Sequence, residues 1–76
     1  MLLKCHPVDC IIKLDKFNIV SCGRLYNKIN VWEIDSGNCI QTLKNKYGVN
    51  SIIRLNKTYI ASGTTNGMIK ILEIIL

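Results

Sequence analysis

The chain has 76 residues, enough for at most one small domain. Hydrophobic residues make up 49% of it, yet charged residues interrupt every apolar run before the roughly 18 residues that a membrane-spanning helix needs. The net charge is +5, but the lysines are scattered, which argues against a nucleic-acid footprint. Because no charged leader with an apolar core opens the sequence, we expect an intracellular protein, with the cytoplasm as default and the nucleus open.

One stretch of the chain occurs twice. Residues 8–22 align with residues 49–63 at an offset of 41, and seven of the 15 pairs are identical, where average composition gives about one. Residues 29–34 then align with residues 69–74 at an offset of 40. A period of this size indicates an array of stacked units, each of which buries its apolar side against a neighbour.

Apolar residues alternate along short segments, which favours strands over helices. Turn signals such as Asp15–Asn18, Asp35–Asn38 and Asn66-Gly67 separate these segments, and Asn66-Gly67 suits a tight primed hairpin. No segment has ten or more residues of helical spacing. We therefore predict an all-β meander with four strands per repeat. In chain order, the predicted strands lie near 1–4, 8–14, 18–22, 28–34, 39–43, 48–55, 59–63 and 68–75.

The first long strand of each repeat places its alternate residues on one side. Ile11 and Ile52 make the opposite side partly apolar, which predicts that both faces of this strand are covered. The residues predicted to share a side are Val8, Cys10, Ile12 and Leu14 in the first copy, and Val49, Ser51, Ile53 and Leu55 in the second.

Catalytic and metal-binding patterns are weak in this sequence. It has one histidine, His6, five dispersed carboxylates and no phosphate-binding glycine loop, so we expect no catalytic residue, no enzyme activity and no cofactor. A metal site at Cys5, His6 and Cys10 would lack the paired CxxC spacing, so we expect no metal. The four cysteines are interpreted as buried thiols.

Short motifs fall in the same order in both copies. In chain order they are Cys5-His6, Ile19–Gly23, Ile29–Glu33 ending in Trp-Glu, Ser36–Leu43, and then Ile60–Gly63 and Asn66–Ile71. Together they resemble the repeat of the WD-repeat β-propellers, which runs about 40 to 45 residues from a Gly-His pair to a Trp-Asp pair. The resemblance implies two four-stranded antiparallel blades of a β-propeller in an incomplete ring.

The resemblance also implies structural roles and boundaries. In the family, a histidine, a hydroxyl residue, an aspartate and a tryptophan brace each blade through hydrogen bonds. Neither copy has the full set, and the matching residues are His6, Ser21 and Trp32 in the first repeat and Ser62 and Asn66 in the second. The chain is expected to be one partial propeller over 1–76, with repeat 1 at 5–43, repeat 2 at 44–76 lacking its final strand, and 1–4 as the outer strand of a preceding blade.

The function implied by the resemblance is a protein–protein interaction scaffold. Arg24, Tyr26 and Tyr47 fall in connections that the family presents on one rim, and Tyr and Arg are enriched in binding hot spots. We expect other proteins as partners and no membrane, and self-association that completes a ring stays open because the family closes with about six to eight blades. The alternatives are a nucleic-acid-binding module that uses the positive charge and a nonfunctional remnant of a longer WD-repeat protein.

Overall fold

The computed structural model describes residues 2–3 and 6–75, which form seven β-strands in two antiparallel sheets. The strands are β1 (Cys10–Lys13), β2 (Asn18–Gly23), β3 (Tyr26–Glu33), β4 (Cys39–Lys44), β5 (Val49–Arg54), β6 (Tyr59–Thr64) and β7 (Ile69–Glu73). The first sheet has the order β1-β2-β3-β4 and the second has the order β5-β6-β7. This part of the chain contains no helix that could cross a membrane.

The all-β prediction is confirmed, and seven of the eight predicted strands are present with shifted ends. The predicted strand near 1–4 is not: Leu2 and Leu3 lie outside any strand, and Met1 and Lys4 lie outside the described residues. Four strands are predicted for each complete repeat, and the first sheet has four. Over residues 2–3 and 6–75, the second sheet has three strands.

One turn is closed by hydrogen bonds to a side chain, and another uses a glycine with a positive φ. Asp15 accepts hydrogen bonds from the backbone N–H groups of Phe17 and Asn18 through Oδ1, at 2.8 and 2.9 Å, and so closes the β1–β2 turn. Gly67 ends the β6–β7 turn with a φ of 85°. The predicted primed turn at Asn66-Gly67 is wrong, because Asn66 keeps a negative φ. The loop instead places its single positive φ at glycine, as three-residue hairpin loops commonly do.

Cross-strand partners share a face of a sheet, so the register defines four faces. On the first sheet, the front face carries Cys10, Ile12, Val20, Cys22, Ile29 and Val31, and the back face carries Ile11, Ile19, Ser21, Asn30 and Trp32. On the second sheet, the front face carries Ser51, Ile53, Ala61, Gly63, Ile69 and Ile71, and the back face carries Ile52, Ile60, Ser62, Lys70 and Leu72.

The two sheets pack front to back. The front face of the first sheet and the back face of the second supply one buried cluster, in which β5 lies against β1, β2 and β3. The Cys10 thiol donates to the carbonyl oxygen of Ile52 across this contact, with 3.7 Å between sulfur and oxygen. Lys70 makes a second tie, because its Nζ donates to Asn45 Oδ1 at 2.9 Å in the connection between the sheets.

A bulge in β5 changes which of its residues are buried. The pairing with β6 shifts between Val49 and Ser51, which leaves Asn50 as an extra residue. Val49 is therefore buried, whereas Ser51, Ile53 and Leu55 are exposed, so the prediction that all four share a side is wrong. In the first copy the prediction is correct for Cys10, Ile12 and Leu14, while Val8 precedes β1 and is exposed.

The predicted covering of both strand faces is also wrong. Ile11 on the back of β1 and Ile53 on the front of β5 are largely exposed. The physical reason is that each sheet is covered by the other on one face only.

Candidate docking surface

The three predicted partner-binding residues lie near one end of the sheets. Arg24 is in the β2–β3 turn, Tyr26 begins β3, and Tyr47 lies in the β4–β5 connection. The two connections touch, because a Cβ added to Gly48 would overlap the Arg24 carbonyl oxygen. We call Arg24, Leu25, Tyr26 and Tyr47 the loop cluster.

His6 packs against the loop cluster. Its ring stacks on Tyr26 with 3.7 Å between ring centroids and 17° between planes, and its Nδ1 donates to the Pro7 carbonyl oxygen at 2.8 Å. Among the described residues, its buried Nε2 has no hydrogen-bond partner. His6 therefore bonds to backbone, as a corner residue would, and does not reach Ser21 as the predicted bracing network requires. Cys5, its neighbour in that motif, lies outside the described residues.

Charged side chains surround the exposed loop cluster. Asp9 accepts a hydrogen bond from the Arg24 backbone N–H at 2.6 Å, and its carboxylate lies 3.9 Å from the Arg24 Nε. Lys28 and Lys46 each place Nζ 5.7 Å from the ring centroid of the neighbouring tyrosine. This end thus presents several cations beside aromatic rings, with Asp9 as a partial counter-charge.

Leu25 is the member of the loop cluster that the sequence analysis missed. Its side chain is 83% exposed at the tip of the β2–β3 turn, between Arg24 and Tyr26. An apolar residue inside the connection between the predicted strands 18–22 and 28–34 is the signal that could have found it, because turns are usually polar.

The residues predicted to brace the blades make separate contacts and do not form one hydrogen-bond network. Trp32 is buried and its Nε1–H donates to the Ser21 hydroxyl oxygen at 2.9 Å, so two members of the expected bracing set are joined. In the second copy, Leu72 occupies the Trp32 position, and the buried Ser62 hydroxyl has no partner within residues 6–75. Asn66 accepts from the Thr64 hydroxyl inside the β6–β7 turn and does not meet Ser62.

The described thiols differ in their burial. Burial, followed by the neighbouring Cys10, raises the pKa of the Cys22 thiol to about 12, so Cys22 stays protonated and unreactive. Cys39 is exposed, which contradicts the interpretation of every cysteine as a buried thiol. Over residues 2–3 and 6–75, no three His, Cys, Asp or Glu side chains come together as metal ligands.

A second exposed surface lies on the front face of the second sheet. Ile53, Ile69 and Ile71 are all more than half exposed there. A shallow groove of about 180 Å³ on this face is lined by Ile53 and Ile69 together with Ser51, Ala61 and Gly63. The sequence predicts Ile69 and Ile71 only as strand residues, and it predicts Ile53 on the same side as Val49. Periodicity alone could not show that this face lacks the cover that the first sheet has.

Comparison with known proteins gives no family for this chain. No protein-family model matches it, and no curated protein matches it.

Proposed function

We propose that this chain is a protein-interaction module that docks partner proteins through the loop cluster and carries no reaction of its own. The observation that carries the proposal is the exposed Leu25 side chain, held between Arg24 and Tyr26 on a turn that Gly48 and His6 support. Arg and Tyr are enriched in binding hot spots, and the exposed Leu25 between them adds apolar area that a partner can bury.

The charges of this end suit an acidic partner surface. Arg24, Lys28 and Lys46 surround the two tyrosines, and Asp9 offsets only part of this positive charge. Complementary charge speeds encounter and orients the partner, whereas burial of an apolar anchor supplies affinity. The partner that fits is a protein with an apolar pocket bordered by Asp and Glu.

We also propose that the two sheets are blades of the WD-repeat type. The order of motifs in both copies supports this, and so does the packing of two antiparallel meanders that derive from one repeated sequence. The Trp32–Ser21 hydrogen bond is one link that the family resemblance leads us to expect. In such a blade the loop cluster would lie on a rim.

The docking proposal can be tested with Leu25→Asp. Phe17→Asp is the matched control, because Phe17 is also an exposed apolar turn residue and lies at the opposite end of the first sheet. We expect quantitative capture of proteins from a cell extract to lose a defined set of partners with Leu25→Asp and to keep it with Phe17→Asp. Equal capture by both variants, or no specific capture by the unmodified chain, would overturn the proposal.

A nucleic-acid titration separates the proposal from its main competitor. We expect single- and double-stranded oligonucleotides to bind weakly at low salt and without dependence on Leu25. Tight binding that falls steeply between low and moderate salt would instead identify a nucleic-acid-binding module, because release of counterions produces that slope.

A further inference from the structure

The front-to-back contact between the two sheets leaves one front face and one back face exposed. The covered pair is the front of the first sheet and the back of the second. The exposed pair is the front of the second sheet and the back of the first. Because the two sheets come from one repeat, each exposed face is the sequence counterpart of a covered one.

The front faces show this relation most directly. Ile29 and Ile69 are the same residue at equivalent repeat positions, yet Ile29 is 0% exposed and Ile69 is 80% exposed. Val31 is buried while its counterpart Ile71 is exposed, and Leu14 is buried while its counterpart Leu55 is exposed. At these three positions the front of the second sheet carries the apolar residue types that the first sheet buries, whereas Ser51, Ala61 and Gly63 stand where the first sheet has Cys10, Val20 and Cys22.

The back faces show the same relation with the copies reversed. Ile52 is 3% exposed on the second sheet, whereas the equivalent Ile11 is 60% exposed on the first. Ile74 is buried in the core, whereas its counterpart Ile34 is exposed. At these two positions, a side chain that makes the contact in one copy of the repeat is exposed in the other.

We propose that copies of this chain associate head to tail, with the front face of the second sheet of one copy covering the back face of the first sheet of the next. The new contact would repeat, between molecules, the front-to-back contact that already joins the two sheets. It would be heterologous, so a series of copies either closes into a ring or extends, as the rotation per step dictates.

The chemistry of the two exposed faces fits this occupant. The centre of the exposed front carries Ile53, Ala61, Ile69 and Ile71 without a charged side chain, so a charged partner surface would lose solvation there. At the rim of the existing contact, one groove is lined by Asp15 and three cations, Lys16, Arg54 and Lys57. The equivalent rim residues of the new contact are Asn56, Lys57, Lys13 and Lys16, so three cations meet there without a carboxylate, which weakens the new contact.

The two contacts also differ in a defined way. On the back face, Trp32 and Asn30 replace Leu72 and Lys70, and both are buried within their own sheet. The exposed back therefore offers Ile11 and Ile34 as its main apolar contacts. We expect reversible association that depends on concentration, weaker than the packing inside one chain.

Three variants test the proposal by their mass in solution, measured by sedimentation over roughly a hundredfold range of protein concentration. Ile71→Asp alters the exposed front, Ile11→Asp alters the exposed back, and Leu25→Asp is an equally apolar-to-acid control outside both faces. We expect the unmodified chain and Leu25→Asp to assemble alike. Each face variant alone should associate at least about tenfold more weakly, because it would bury a carboxylate without a partner.

Mixing the two face variants gives the sharpest result. Ile11→Asp keeps an intact exposed front and Ile71→Asp keeps an intact exposed back, so an equimolar mixture should form a 1:1 dimer and stop there. A monomeric unmodified chain would overturn the proposal. So would dimers of Ile11→Asp alone, because they would mean that two front faces pair symmetrically.

Two further measurements keep the test independent of folding and of the proposed function. Ile71→Thr and Ile11→Thr retain β-branched side chains and should show the same pattern if an aspartate variant loses its β-sheet circular dichroism. Leu25→Asp should lose partner capture while it still assembles. Ile71→Asp should lose assembly while it still captures partners in dilute solution. Failure of one proposal can therefore be distinguished from failure of the other.

Discussion

Ser21 and Ser62 are the same residue at the same repeat position, but their hydroxyl groups have different surroundings. Ser21 accepts a hydrogen bond from the Trp32 indole N–H, at 2.9 Å. Ser62 is buried beside Leu72, a side chain that cannot donate, and within the described part of the chain its hydroxyl stays without a partner. A buried polar group without a hydrogen bond destabilises the folded state by about 1–3 kcal/mol.

This difference predicts opposite effects of one substitution. Ser21→Ala should lower the free energy of unfolding by about 1–3 kcal/mol, because it leaves the Trp32 N–H buried without an acceptor. Ser62→Ala should be neutral or stabilising, because it removes a hydroxyl that makes no bond. Urea unfolding followed by Trp32 fluorescence measures both. Equal losses in the two variants would contradict this account of the serines.

Individual contacts were predicted only where the resemblance linked them. Ser21 and Trp32 were expected to belong to one bracing set, and they do bond. The stacking of His6 on Tyr26 was not predicted, because the two residues are far apart in sequence and meet only when the segment before β1 passes beside the β2–β3 turn. Leu25 was missed because a tip residue leaves no trace in strand periodicity.

The first hairpin of each sheet is closed by an equivalent turn with one chemical difference. Asp15 accepts two backbone hydrogen bonds in the first sheet, and Asn56 accepts the same two in the second, from Thr58 at 2.8 Å and Tyr59 at 2.9 Å. The bond from the Phe17 N–H is the main cause that lowers the pKa of Asp15 below its ordinary value. Asn56 makes the same turn without a charge.

The lowered pKa predicts a dependence of stability on pH. Because the pKa of Asp15 is lower in the folded state than in the unfolded chain, its charge stabilises the fold above the unfolded value, and this contribution is lost as pH falls through the folded value. Below about pH 4, Asp15→Asn should therefore lose less stability than the unmodified chain. Urea midpoints measured over a pH series test this. Asn56→Asp is the reciprocal control and should add acid sensitivity, whereas parallel pH profiles of all three proteins would refute the explanation.

Strand positions could be predicted because they depend on local patterns of apolar and turn residues. The face on which each β5 side chain lies could not be predicted, because the bulge at Asn50 arises from pairing with β6 and not from the residues of β5 alone. The type of the β6–β7 turn was predicted wrongly for the same reason. Asn66-Gly67 permits a two-residue primed turn, but the pairing of Thr64 with Met68 makes the loop one residue longer.

At the scale of the whole molecule, the repeat explains the sheets but not which faces are covered. Equivalent residues such as Ile29 and Ile69 are identical, so no local pattern can distinguish them. Their burial differs because one sheet face has a neighbour in the chain and the other does not. The exposed faces could be assigned only from the packing of the sheets.

Two equivalent sheets pack front to back, so that the position of a residue and not its type decides whether it is buried. Urea unfolding of Ile29→Ala and Ile69→Ala measures this difference, at dilutions where sedimentation shows monomers. We expect Ile29→Ala to lower the free energy of unfolding by about 2–5 kcal/mol, because it opens a cavity in the core. Ile69→Ala, the same substitution on an exposed face, should change it by less than about 0.5 kcal/mol. Equal losses, or a larger loss at Ile69, would contradict the front-to-back arrangement.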